Sequence, residues 1–184
     1  MKNSITKFNH VDYLWDAKKG ASYGDDQIGL FLYRSNILGA DLRITNYGGG
    51  NTSCKTFEKD PLTNEEVKVM WVKGSGGDIG TLNRAGIAGL YTDRLRDLKN
   101  VYGGLEDEDR MVGLFNHCIY DLDSKAPSID TPLHGLLPFA HIDHLHPDAL
   151  IAVAAAENSE QVTKEIWGDT MGWVPWQRPG FDLG

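Results

Sequence analysis

His141-Ile142-Asp143-His144-Leu145-His146-Pro147-Asp148-Ala149 holds three of the chain's six histidines. A strand alternates its side chains, so positions two apart share a face. Read as the end of a strand, the segment presents His144 and His146 on one face and His141 and Asp143 on the other. Pro147 cannot continue a strand ladder and ends it. Pro147-Asp148 then opens the apolar run Ala149 to Ala156, which reads as a helix. Two imidazoles on one face of a rigid strand are a start on a site for zinc or another divalent metal. A lone HxH also arises by chance, and at this point both readings stand.

Immediately upstream, Ala126-Pro127-Ser128-Ile129-Asp130 reads as a turn. Thr131-Pro132 starts a short helix running to Phe139, with His134 one helical turn beyond Asp130. A carboxylate near two histidines serves as a metal ligand or as a general acid or base. Asp130-Thr131-Pro132 is equally a good helix start, with Asp130 as its cap. Downstream, Ser159 to Trp167 reads as a second helix, and Met171 to Trp176 is strand-like.

Further out, two glycine-rich loops follow strand-like runs. Leu42 to Asn46 leads into Tyr47-Gly48-Gly49-Gly50-Asn51-Thr52-Ser53, and Cys54 to Phe57 continues as a strand. A hairpin turn over 59–66 joins it to Val67–Val72, rich in β-branched residues, which runs into Lys73-Gly74-Ser75-Gly76-Gly77-Asp78. Glycine-rich loops of this kind expose backbone N–H groups and make concavities for anions. Each is also a common tight turn; the pair, together with Lys73, suits a single phosphate group. Neither matches a P-loop or a dinucleotide fingerprint.

The remaining pattern is helical. Asp25 and Asp26 cap a helix to about Leu38, stopped by Gly39. A second helix is expected from Arg84 to Leu98. A third starts at 107–110 and carries an apolar stripe from Met111 to Leu122, which makes Cys118 and His117 core rather than site residues. Residues 1–23, with Phe8, Tyr13, Trp15 and Tyr23, read as an arm packed on the domain. Helices interleave with short, hairpin-joined strands. An α/β layered domain follows, with a mixed, largely antiparallel sheet.

A chain of 184 residues with 41% hydrophobic and 24% charged content suits one domain with a sizeable core;. A net charge of −8 argues against general binding to nucleic acid or to a membrane surface, since both call for a basic face;. The two cysteines, Cys54 and Cys118, form no CxxC and fit a reduced, cytoplasmic setting;. No signal peptide and no bilayer-spanning apolar run is evident.

The order of motifs carries a resemblance. Gly50-Asn51-Thr52-Ser53, Lys73-Gly74-Ser75-Gly76, Pro127-Ser128-Ile129-Asp130 with His134, and His144-Leu145-His146-Pro147 resemble the class II, metal-dependent sugar-phosphate aldolase and adducin family. With Trp71 to Asp78 and Pro175 to Gly180 included, the resemblance is strongest to the N-terminal aldolase part of bifunctional rhamnulose-1-phosphate aldolase/short-chain dehydrogenase proteins. It runs from about Tyr33 to the end and implies a three-layer α-β-α domain. It also implies roles. Asn51, Ser75, Gly76 and Ser128 would hold the substrate phosphate, and His144 and His146 would bind Zn2+ or another divalent metal. Asp130 would move the proton, where the family usually has a glutamate. The implied reaction is cleavage of the C3–C4 bond of L-rhamnulose 1-phosphate to dihydroxyacetone phosphate and L-lactaldehyde, in a homotetramer with sites between subunits.

There are three departures. Asp130 is one methylene shorter than glutamate. Ile129 replaces a frequent serine. The family's third metal histidine follows the HxH in a later glycine-rich segment, and no histidine follows His146 here; residues 1–184 are therefore expected to form a single domain lacking that C-terminal part. Beside cleavage stand two other readings: a catalytically silent, adducin-like binding domain, and epimerisation or dehydration of a sugar phosphate on the same fold.

Overall fold

The computed structural model describes residues 13–184; Phe8 and the rest of the expected arm before Tyr13 lie outside them. The described part of the arm does pack on the domain: the rings of Trp15 and Tyr23 lie 5.2 and 5.7 Å from that of Tyr33. A short helix α1 (Ala17–Ala21) starts where the Asp16 carboxylate accepts from the backbone N–H groups of Lys18 and Lys19;. The long helix α2 (Gln27–Ala40) starts in the same way, with Asp26 accepting from the Gly29 N–H at 2.8 Å.

Gly39 does not stop α2. The helix runs through it to Ala40, and the backbone of Gly80 crosses there: a Cβ on Gly39 would sit 2.1 Å from the Gly80 nitrogen. The glycine is needed for close approach rather than for termination.

Four strands, β1 (Asn51–Lys59), β2 (Glu66–Lys73), β3 (Ile87–Tyr91) and β4 (His141–His144), form one sheet in the order β3-β2-β1-β4, and each pairing is antiparallel. The β1–β2 turn is organised by Asp60, whose carboxylate accepts from the Leu62 and Thr63 N–H groups;. Alternation along β2 divides the core. Val69 and Trp71 face one way, with Cys54 of β1, onto Phe31 of α2. Met70 and Val72 face the other way, with Ala88 and Leu90 of β3. That second face is covered by α3 (Thr92–Asp97), α4 (Glu108–Leu114) and α5 (Thr131–Leu136), with Leu95 and Met111 in the shared core. The result is three layers, helix on sheet on helix. Each fully buried Met, Val or Leu contributes roughly 1.5–3 kcal/mol to holding the layers together. Helices α6 (Asp148–Ala154) and α7 (Ser159–Trp167) follow β4, as the patterning predicts.

Four expected elements differ. Residues 84–98 are not one helix but β3 followed by α3, after a 3-10 turn at Arg84–Gly86. Ile87 faces α2, while Ala88 and Leu90 face the other layer. A strand buried on both sides is continuously apolar, and over so short a run it reads like a helix. Leu42 to Asn46 is a turn rather than a strand: Asp41 accepts the Arg43 N–H with its side chain and the Ile44 N–H with its carbonyl;. Met171 to Trp176 is irregular. The apolar stripe from Met111 is helical only to Leu114, then continues as a 3-10 turn, Phe115–Cys118.

The last residues are fastened from within. The fully buried Glu108 accepts the backbone N–H groups of Phe181 and Asp182, both at 2.8 Å, and the Tyr102 hydroxyl at 3.1 Å. Among the described residues, no helix is long and apolar enough to cross a membrane.

Candidate active site

Four segments meet at the end of the sheet where β1 begins and β4 ends. The glycine run delivers Asn51 to the first position of β1. Gly50 has φ 76°, and a Cβ on it would lie 2.4 Å from the His144 carbonyl oxygen, so the backbone approach requires glycine;. Register places Asn51 opposite His144, Thr52 opposite Asp143 and Ser53 opposite Ile142. Asn51, Ser53 and His144 therefore share the face turned toward α5, and Asp143 takes the α2 face. There Arg34 of α2 pairs with Asp143 at 3.0 Å and donates to the Ser53 carbonyl at 2.7 Å.

The HxH behaves as its spacing predicts. His144 Nε2 and His146 Nε2 lie 2.9 Å apart, with ring centroids at 4.7 Å. Thr45 and Asn46 hold the second ring's backbone: the His146 N–H donates to Thr45 Oγ1 and the Asn46 N–H to the His146 carbonyl. Burial holds His144 below the usual imidazole range, partly opposed by the nearby Asp130 carboxylate;. His141 is exposed, on the other side of the strand.

The Asp130 carboxylate is not used as a helix cap, although the residue stands at the start of α5. Its Oδ2 instead accepts from Asn51 Nδ2 at 2.9 Å and from Ser128 Oγ at 3.2 Å. Asn51 Nδ2 also donates to Ser128 Oγ at 3.1 Å, and Lys73 Nζ donates to Asn51 Oδ1 at 3.5 Å. Lys73 is buried, which lowers its pKa against the pull of Asp130 and Asp78. The structure thus brings Asn51, Ser128 and Asp130 into one network. Ser75 and Gly76 stay exposed on the adjoining loop, tied to it by the Gly74–Pro127 bridge and by the Ser75 N–H to Ala126 carbonyl bond. Asp78, which sequence reasoning did not single out, braces the two glycine loops by accepting from the Gly48 N–H at 2.9 Å. Beyond His144 the site opens onto an apolar groove of about 800 Å³, walled by Leu150, Val153, Trp167 and Trp173.

This geometry can be tested against a metal. Two imidazole nitrogens on one tetrahedral zinc lie about 3.3 Å apart, given bond lengths of about 2.0–2.1 Å. The His144 and His146 nitrogens reach that spacing by opening a few tenths of an ångström, so the pair fits two positions of a divalent site. Among the described residues no group of three His, Cys, Asp or Glu side chains converges.

The class II aldolase and adducin N-terminal domain model matches residues 32–184. The chain belongs to this family. A curated relative, named as the uncharacterized oxidoreductase YuxG of Bacillus subtilis (strain 168), is 42% identical over 175 residues. That match takes in 94% of this chain and 24% of the relative, so the chain spans about a quarter of the relative's length. Among solved structures, the N-terminal class II aldolase domain of a conserved protein from Thermoplasma acidophilum superposes with a TM-score of 0.77 at 26% identity, over 97% of this chain and 78% of that one. The three-layer antiparallel architecture is therefore that of the class II aldolase domain.

Two residues that sequence reasoning left without a role lie inside the site's support. Ser53 Oγ meets His134 Nδ1 at 2.8 Å, and His134 is fully buried. Their signal was the helical spacing of His134 from Asp130 and the position of Ser53 two residues after Asn51.

Proposed function

We propose that this chain is an aldehyde-lyase domain that cleaves a ketose 1-phosphate, L-rhamnulose 1-phosphate, into dihydroxyacetone phosphate and L-lactaldehyde, in the cytoplasm. The observation that carries the reading is the meeting of the His144–His146 pair with the Asn51–Ser128–Asp130 network at one end of the sheet. In this reading Asn51, Ser128 and the backbone of Ser75 and Gly76 hold the phosphate, with Lys73 supplying positive charge beneath it. His144 and His146 hold Zn2+ or another divalent cation, which supplies Lewis-acid polarisation of the substrate carbonyl when bound. Asp130 carries the proton. Its contacts to Asn51 and Ser128 aim Oδ2 at the same space as the phosphate donors, and its shorter reach sets the substrate closer to α5 than a glutamate would. The oxidoreductase name belongs to a relative about four times as long and assigns no redox step to this chain.

A second reading is a silent, adducin-like binding or assembly domain, favoured by the absence of a third converging ligand among the described residues. One assay separates the readings: release of dihydroxyacetone phosphate from L-rhamnulose 1-phosphate with zinc added. Release that disappears in Asp130→Asn and His144→Ala supports cleavage. Conversion of sugar phosphates without cleavage points to epimerisation or dehydration, and a folded, inert protein points to the binding role.

A further inference from the structure

Among the described residues, six have a buried side-chain nitrogen or oxygen atom without a hydrogen-bond partner, and two of these atoms are imidazole nitrogens: His134 Nε2 and His144 Nδ1. Both belong to the layer between the sheet and α5. Ser53 and Ile142 are register partners, so Ser53 and His144, two residues on, turn to the same face, and His134 reaches Ser53 from α5 above it. Leaving a buried polar atom without a partner is costly, because its bond to water is lost and not replaced. Both side chains stand on the α5 side of the sheet, His134 on Ser53 and His144 two residues along from Ser53's register partner, and one partner lying between them satisfies both atoms. A buried water makes about three hydrogen bonds to such groups.

We propose that His134 is a positioning residue for His144: one buried water links His134 Nε2 to His144 Nδ1 and joins Ser53, His134 and His144 into a single hydrogen-bonded chain. Two opposite proton arrangements satisfy this chain, and the reading of His144 Nε2 as the metal-facing nitrogen selects the following one. His134, enclosed and facing no carboxylate, is neutral and carries one ring proton. Its Nδ1–H donates to Ser53 Oγ, which leaves Nε2 as an acceptor. The water donates to that nitrogen and accepts from His144 Nδ1–H. His144 is thereby held as its Nδ1–H tautomer, with the Nε2 lone pair turned toward His146, and in the metal-free protein that lone pair accepts from His146 Nε2–H across the 2.9 Å contact. Ring partners of this kind fix tautomer and orientation for a metal-binding histidine, and their loss typically weakens the metal roughly 10–100-fold.

The inference rests on the reading of His144 as a metal ligand, but its first test needs neither metal nor substrate. Nitrogen-15 NMR of the imidazoles in the metal-free chain is expected to show His144 as the Nδ1–H tautomer; finding the Nε2–H form overturns the proposal. In His134→Phe, which keeps the volume and removes the acceptor, the His144 tautomer is expected to become mixed and zinc affinity to fall roughly 10–100-fold. His134→Gln, which can still accept from the water, is expected to recover most of both. A merely structural His134 would lower stability in both variants and leave the His144 tautomer alone, which also overturns the proposal. Should His134→Phe not fold, Ser53→Ala replaces it: losing the bond that orients His134 is expected to mix the His144 tautomer in the same way. If the parent shows the Nδ1–H tautomer but takes up no zinc, the metal reading fails while the hydrogen-bonded chain stands.

Discussion

Gly50 and Asn51 are adjacent, yet the structure needs them for different reasons. At Gly50 the backbone is left-handed, φ 76°, and the space a side chain would take holds the His144 carbonyl. Gly50→Ala is expected to cost about 1–2 kcal/mol for the left-handed backbone alone, with more from displacing β4; urea unfolding of parent and variant gives the figure. Asn51 serves the site. Its amide donates to Ser128 and Asp130 and accepts from Lys73. Asn51→Ala is expected to raise the KM for a phosphorylated substrate about tenfold, the worth of one lost hydrogen bond of roughly 1.4 kcal/mol. Unchanged affinity for the sugar phosphate would make the network purely structural. His134 adds a pH effect. Burial pushes its pKa down to about 3 from the ordinary 6.5, so between those values the unfolded chain binds a proton that the folded chain refuses;. Stability therefore falls as pH drops through 6.5 toward 3, by up to about 1.4 kcal/mol per pH unit. Denaturation curves at pH 7 and pH 4.5 are expected to show a smaller loss in His134→Phe than in the parent.

At the scale of elements, β4 is the vulnerable part. It spans only His141–His144 and pairs with β1 along one edge. Arg34 reaches across from α2 to both strands, binding the Asp143 carboxylate and the Ser53 carbonyl. This pair is half-buried, and charge-assisted bonds of that kind are worth on the order of 1.5–3 kcal/mol. Arg34→Met is expected to speed amide exchange over His141–His144 without altering exchange in the β1–β2 hairpin. Uniform acceleration through the whole sheet would mean that the ion pair supports global stability and not β4 in particular. The opposite edge is better guarded: Tyr120 and Lys125 donate backbone N–H groups to the Gly89 and Ile87 carbonyls of β3;.

For the whole molecule the governing quantity is the number of metal ligands that converge. A catalytic zinc site takes three protein ligands and leaves one position open. On the proposed reading His144 and His146 supply two among the described residues, and Asp130 is engaged by Asn51 and Ser128. Calorimetric titration of the chain with zinc is expected to show weak binding that is lost in His144→Ala and in His146→Ala. Nanomolar, one-to-one binding would mean that a third ligand lies within these residues. A longer protein that restores both tight binding and cleavage would place that ligand outside them.

The residues themselves determined the local features. β-Branched residues marked β2, carboxylates before apolar runs marked the start of α2, and the HxH spacing placed two imidazoles on one face, because side-chain direction along a strand is set by the backbone. The motif order was specific enough to indicate the family. Tertiary structure decided what local patterns cannot. Ile87–Tyr91 is a strand because Trp71 and the helical layer enclose it on both faces, and burial on both sides erases the alternation that distinguishes a strand from a helix. The Asp130 carboxylate is not used as a helix cap because Asn51, far away in sequence, and Ser128 engage it. His134 became visible only when the register of β1 and β4 put Ser53 and His144 under the same helix. Pairings between residues distant in the chain arise when the layers close, and no window of sequence contains both partners.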